Sequence, residues 1–248
     1  LLKKKFKGIK WHADFQDPWS QVHYFSQLHL TKWAVKKHYQ MEQEVFKYAD
    51  SISIVSKTWK RDLEKIGASD VQVLEWGFDP EDYDDIKVKL DAKFTITHSG
   101  IMGYDRNPTQ LFKVLDELIQ ENEGFKNHFS LKIIGEIDSS VLENIKRFNL
   151  TKYCDFRGFV TRDIAIQETF NSHVLLLLLN QQVNAAGRIP GKLFEYLASR
   201  RPIILIGPKN SDSENIVHNT HSGQSFVYDN QIELKNYITK LYDSYVFL

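Results

Sequence analysis

"AGRIPGKLFEYLASRRPIILIG", residues 186–207, sets two glycines and a proline ahead of a short amphipathic helix, and the helix runs directly into an apolar strand. A loop shaped by Gly187, Pro190 and Gly191 that ends at a helix N-terminus is an anion site by geometry, because unpaired N–H groups and the helix dipole point at the same spot. Lys192 adds a compact positive charge there. Glu195, three residues on, lies on the same helix face. A carboxylate in that place can accept two hydrogen bonds from a ribose diol, as acidic residues do in dinucleotide sites. The same residues also make an ordinary amphipathic helix. In that case Leu193, Phe194 and Leu197 face the core, and Lys192 and Glu195 form a surface pair worth about 0.3 kcal/mol.

The same strand–helix rhythm runs through the chain. Strands are predicted at Gly8–His12, Ser51–Val55, Val71–Leu74, Phe94–His98, Leu131–Gly135, Tyr153–Phe156, Val174–Leu179, Pro202–Ile206 and Ser225–Tyr228. Helices are predicted over 28–48, 56–67, 108–121, 138–148, 162–171, 191–199, 212–218 and 231–246. Such alternation builds βαβ units and a parallel sheet. Several strands are apolar on both faces, as a sheet covered on both sides requires.

The rhythm breaks at "WGFDPEDYDDIKVKLDAK", residues 76–93, which is acidic and rich in turn formers. It predicts a linker, with one domain over 1–91 and a second over 92–248. The second holds six strands and the first only three, so the first is expected to be the C-terminal part of a larger domain. The chain is thus expected to be a fragment cut at its N-terminus.

Composition narrows the function. At 248 residues the chain can bury a substantial core. Lys plus Arg and Asp plus Glu both number 32, which argues against a nucleic-acid partner. A lone Cys154 in an apolar stretch fits a reducing, cytoplasmic compartment. The longest apolar run, Val174–Leu179, is too short to span a bilayer. The acidic run Asp79–Asp85 lacks the spacing of metal ligands and is expected to be a solvated linker, so no metal is expected. Lys3, Lys4, Lys5 and Lys7 are open to two readings, a solvated charge run or a peripheral contact with an anionic membrane surface.

Open α/β sheets bind ligands at the C-terminal ends of strands. Two further loops take such positions. In "HSGIMGYDRNP", 98–108, Gly100 and Gly103 let backbone approach a ligand, and Arg106 stands by a helix start where a diphosphate would meet N–H groups. Taken alone, a plain strand-to-helix turn with a solvated arginine accounts for it slightly better, since glycines are common in such turns. In "FRGFVTRD", 156–163, backbone near Val160 could edge a nucleobase, or Thr161 or Asp163 simply caps the next helix.

Taken together, these loops resemble a family-4 retaining glycosyltransferase of the GT-B fold, with two Rossmann-like domains, over essentially the whole chain. "EVFKYADSISIVSKTWKRDLEKIGASDVQVLEWGFDPEDY" is similar to the segment that leaves the family's first domain, "SGIMGYDRNPTQLFKVLDEL" to the opening of its donor domain, and "GRIPGKLFEYLASRRPII" to its most specific motif. "WHADFQDPWSQ" resembles an Asp-Phe-Arg-Asp-Pro-Trp variant near the acceptor side. The resemblance implies that Arg106 and Lys192 hold the donor diphosphate and stabilise the leaving group. Glu195 would bind the ribose, with Gly100, Gly103, Gly187, Arg188 and Gly191 shaping the donor loops and Val160 beside the base. His12, read as the end of the first strand, would face the transferred sugar, or else be a strand-end histidine bonded to backbone.

The implied activity moves a sugar from a nucleotide diphosphate sugar to a saccharide or lipid-linked acceptor hydroxyl with retention, in polysaccharide or lipopolysaccharide synthesis, without a cofactor. A nucleotide-sugar binding module and an epimerase of the same fold are the alternatives. Three positions depart from the family. Gly187 stands where the first of two glutamates is expected, Gln16 replaces an arginine, and Trp76 replaces an asparagine.

Overall fold

The computed structural model describes residues 2–6, 8–182 and 184–247; the side chains of Leu2 and Lys4 and all of Lys7 lie outside the described set. It is an α/β structure with two parallel sheets and two compact units, Leu1–Gly77 with Gln182–Ile189, and Phe78–Gln181 with Pro190–Leu248. Among the described residues no helix is long and apolar enough to cross a membrane.

The first unit runs α1 (Leu2–Lys5), β1 (His12–Phe15), α2 (Lys32–Tyr48), β2 (Ser51–Ile54), α3 (Lys57–Lys65) and β3 (Val71–Val73). Its strands pair in parallel in sequence order. Both longer helices start at hydroxyl caps, with Thr31 Oγ1 accepting from Ala34 N–H at 3.2 Å and Ser56 Oγ from Trp59 N–H at 3.1 Å. Phe15, Phe46, Ile52, Ile54, Trp59 and Leu63 form its core. Inside it, buried Glu42 accepts the Ser20 backbone N–H at 3.0 Å and the Ser20 hydroxyl, which fixes the turn after β1.

The first strand corrects the sequence reading. Residues 8–11 are not strand; the ladder starts at His12, in register with Ser51. Ala13 and Phe15 turn inward while His12 and Asp14 turn outward, an alternation that begins only at residue 12.

The second unit contains β4 (Phe94–Ser99), α4 (Thr109–Glu121), α5 (Glu123–His128), β5 (Phe129–Ile134), α6 (Ser139–Arg147), β6 (Cys154–Gly158), α7 (Arg162–Asn171), β7 (Val174–Leu178), α8 (Lys192–Ser199), β8 (Ile203–Ile206), α9 (Asp212–Asn219), β9 (Gly223–Phe226) and α10 (Gln231–Val246). Its six strands are all parallel, in the order β6-β5-β4-β7-β8-β9. That is the doubly wound order, and the direction of winding reverses between β4 and β7. β7 is buried at every position, as a strand covered on both faces must be. One side of the sheet packs Ile96, Leu131, Leu176 and Ile204 against Leu111 and Leu115 of α4, Val141 of α6 and Ile238 of α10.

Two segments fall differently from a division at residue 91. Residues 78–91 group with the second unit because side chains tie them to it. Tyr83 stacks on Phe170 with ring centroids 5.5 Å apart, and Asn171 accepts the Lys89 N–H at 2.9 Å through its side chain and the Asp91 N–H at 2.9 Å through its carbonyl. Asp91 also accepts from Lys132 at 2.8 Å, and Lys132, buried within β5, bonds Glu168 at 2.5 Å. Residues 182–189 group with the first unit, where Trp59 Nε1 donates to the Asn184 carbonyl at 3.0 Å and the Asn184 amide donates to the Gln21 carbonyl.

Candidate functional site

In the second unit the C-terminal ends of β4 and β7 flank the winding reversal, and the residues around the end of β4 are held by α8. Tyr196 Oη accepts the Ser99 backbone N–H at 3.0 Å, and Lys192 Nζ donates to the Ser99 carbonyl at 2.6 Å. One turn of α8 thus grips both backbone groups of the last residue of β4. Gly100 follows with φ of +120°, a conformation that disfavours any side chain, and a Cβ there would overlap the Lys192 ammonium. The glycine lets the cation lie across the backbone.

Beneath this clamp lies His98, fully buried. Its Nδ1 donates to the Leu176 carbonyl at 2.9 Å, and its Nε2 has no hydrogen-bond partner among the described residues. Burial, with Lys192 and then Arg106 nearby, holds its pKa down at about 3. The ring is therefore neutral at ordinary pH, so the charge at this strand end comes from the lysine.

Arg106 closes a short 3-10 turn, Tyr104–Arg106, before α4. Its Nε and Nη2 bond the Asp105 carboxylate at 3.1 and 3.3 Å, and Asp105 in turn lies against Gly103. The arginine is thus close enough to bear on His98, yet its charge is balanced by its neighbour.

Gly191 caps α8 without a side-chain bond, and the N–H groups of Leu193 and Phe194 already bond the Pro190 and Gly191 carbonyls at 2.9 and 3.0 Å. Glu195, one turn in, faces Arg162 at 3.7 Å. Arg162 opens α7, two residues after Val160, so Val160 sits on the turn leading to the arginine that meets Glu195. The second unit therefore gathers Gly100, Gly103, Arg106, Gly191 and Lys192 near the end of β4, with Glu195 and the Val160 turn one step further along. Arg162 was not singled out from sequence; its place at the start of a helix after a strand was the available signal.

The remaining candidates lie in the first unit. His12 is the first residue of β1, not the end of a strand. It therefore stands at the N-terminal edge of a parallel sheet, away from the strand ends where such sheets bind ligands. Both its ring nitrogens are engaged, Nδ1 with Ser51 Oγ at 2.8 Å and Nε2 with Ser53 Oγ at 2.9 Å, and Ser53 donates onward to Asp14 at 2.5 Å. The residues just past the C-terminal end of β1 are Gln16 and Asp17, both exposed. Arg188 is half-buried, with its N–H on the Ala185 carbonyl at 3.0 Å. Gly187 is buried, and a Cβ there would fall on the Trp59 indole, 2.5 Å from Nε1. The space a glutamate side chain would need is filled by that ring.

No protein-family model and no curated protein matches this chain. Solved structures do. HepE of Anabaena, in complex with UDP, superposes with a TM-score of 0.70 at 13% identity, over 95% of this chain and 63% of that one. A TarM mutant of S. aureus, in complex with fondaparinux, α-GlcNAc-glycerol and UDP, gives 0.63 at 13% over 94% and 44%. WaaG, a glycosyltransferase involved in lipopolysaccharide biosynthesis, gives 0.62 at 13% over 93% and 65%. The chain shares the GT-B fold, with a three-stranded first unit and a six-stranded second one, and it spans less than two thirds of the length of each of these three structures.

Proposed function

We propose that this chain acts as a glycosyltransferase that moves a sugar from a nucleotide diphosphate sugar to an acceptor hydroxyl. The observation that carries the reading is the Lys192 clamp over Gly100 at the winding reversal of the six-stranded sheet. A reversal point is where such sheets take phosphate-bearing ligands. An ammonium fixed there by a backbone carbonyl needs no reorganisation when charge develops on a departing diphosphate. Arg106 is the second cation, available once a phosphate competes with Asp105 for its planar fork. Glu195 holds the ribose diol after leaving Arg162, and the Val160 turn edges the base. With two side-chain cations supplied, the reaction is proposed to run without a metal.

Retention at the anomeric carbon, a saccharide or lipid-linked acceptor, a role in cell-surface polysaccharide or lipopolysaccharide synthesis and a cytoplasmic site at the inner membrane face complete the proposal. They rest on the motif resemblance, and the HepE and TarM complexes with UDP favour a uridine nucleotide. One observation favours the alternative of a binding module without turnover: Trp59 occupies the space at Gly187 where the family carries a glutamate.

Calorimetric titration of UDP, GDP and ADP, with Lys192→Ala and Glu195→Ala alongside, tests the donor site. One nucleotide is expected to bind, with a loss of about tenfold or more in each variant. Binding unaffected by both substitutions would sink the assignment. Donor turnover with added acceptors separates transferase from binding module.

A further inference from the structure

At the opposite edge of the six-stranded sheet, where β8 and β9 begin, lies a cavity of about 590 Å³. Arg200, Arg201, His221 and Lys240 line it, and no aspartate or glutamate does. Two of these basic residues occupy places that normally fall to glycine. Arg200 ends α8 with φ of 56°, and His221 follows α9 with φ of 52°, both left-handed. A side chain at such a helix-ending position is disfavoured, and glycine is the common solution. The sequence therefore accepts local strain twice, at neighbouring strand entries, and both times a cation-forming side chain is the result. Arg201 is drawn partly inward, with Nε on the Phe170 carbonyl at 3.1 Å, and burial lowers its pKa with no carboxylate opposing that shift. Phe78, Tyr237 and Leu241 add apolar surface to the lining.

We propose that this cavity binds a phosphate monoester carried on a ring-bearing or apolar body, as a second anion site separate from the Lys192 clamp. A guanidinium fork pairs with phosphate oxygens in a way that a lone ammonium does not, and clustered cations without a counter-charge favour a dianion. The aromatic and leucine surface accounts for the rest of the ligand. Nothing in this assignment depends on the donor-site reading.

The test uses calorimetry and thermal melts of the whole chain with inorganic phosphate, phenyl phosphate, and phosphatidylcholine vesicles with and without phosphatidic acid. Phenyl phosphate is expected to bind more tightly than inorganic phosphate. Arg200→Gly, which relieves a left-handed residue, is expected to keep or raise the melting temperature while weakening binding about tenfold. Lys240→Gln is expected to weaken it in the same direction, and Lys192→Ala to leave it unchanged. A response to phosphatidic acid vesicles alone, lost in Arg200→Gly, would identify a lipid headgroup as the source of the ester. No binding of any phosphate compound, or binding lost in Lys192→Ala and kept in Arg200→Gly, overturns the proposal.

Discussion

Two glycines of the loops first singled out, Gly100 and Gly187, both stand where a side chain cannot, and for opposite reasons. Gly100 is kept bare by a cation. Lys192 lies across it, held by Ser99, and the left-handed backbone leaves a charge at the end of a strand. Gly187 is kept bare by an indole. Trp59, 5% exposed and anchored on Asn184, fills the adjacent space. The first arrangement holds a positive charge at a strand end; the second fills the space with an apolar ring. A glycine in a loop motif is therefore not one signal, and its meaning depends on which side chain comes to cover it.

The comparison can be broken most forcefully at Gly187. Gly187→Glu introduces the carboxylate that the motif resemblance places at this position but drives it into a closed indole, and it is expected to destabilise the first unit by about 3 kcal/mol or more. Urea melts followed by tryptophan fluorescence would show it, and Trp59→Ala in the same chain should recover part of the loss. Additive effects of the two changes would mean that the ring is not what excludes the side chain.

At Gly100 a smaller effect is expected. Gly100→Ala meets both an unfavourable φ and the Lys192 ammonium, at a cost of about 2 kcal/mol, and displaces that cation. On the proposed donor-site reading, UDP affinity should fall about tenfold. Adding Lys192→Ala should relieve the crowding without restoring the affinity.

The cationic side should also be the acid-sensitive one. His98 has a native pKa of about 3 against an ordinary value of 6.5. Between those two values the unfolded chain binds the proton and the folded one does not. Stability is thus full above about pH 6.5 and falls by up to about 1.4 kcal/mol per unit as the pH drops toward 3. His98→Leu should flatten that slope in pH-dependent melts; an unchanged slope would assign the acid loss to other groups.

The smallest effect separates the two units. Burial pushes the Cys154 thiol up to about 12, so it should resist alkylation at pH 8 in the native chain. Gly187→Glu, acting in the first unit, should leave the Cys154 alkylation rate unchanged. An accelerated rate would show that damage at Trp59 spreads to β6.

Much of this was legible from residue order. Alternating apolar runs and capped helices located the strands of the six-stranded sheet to within a few residues, because periodicity and turn chemistry act locally. α5 escaped notice because it is six residues long and contains Gly124. β1 was read four residues early, since the run from Gly8 looks extended and only pairing with Ser51 sets its start. The strand-end role assigned to His12 depended on that placement. The clustering of Lys192 with Gly100 was readable as a pair of motifs. The indole at Gly187 was not, because Trp59 lies more than a hundred residues earlier in the chain and no local pattern links them. The buried Lys132 is a similar case; its partners Asp91 and Glu168 are 41 and 36 residues away.

The grouping of residues 182–189 with the first unit has a consequence for anyone recombining such proteins. The chain passes between the units at 77/78, 181/182 and 189/190, so no single scissile point separates them. Transplanting the second unit onto another first unit at the linker would carry along an eight-residue excursion fitted to Trp59 and Gln21 of its original host. A workable chimera has to be spliced three times, or has to import the indole together with the glycine that accommodates it.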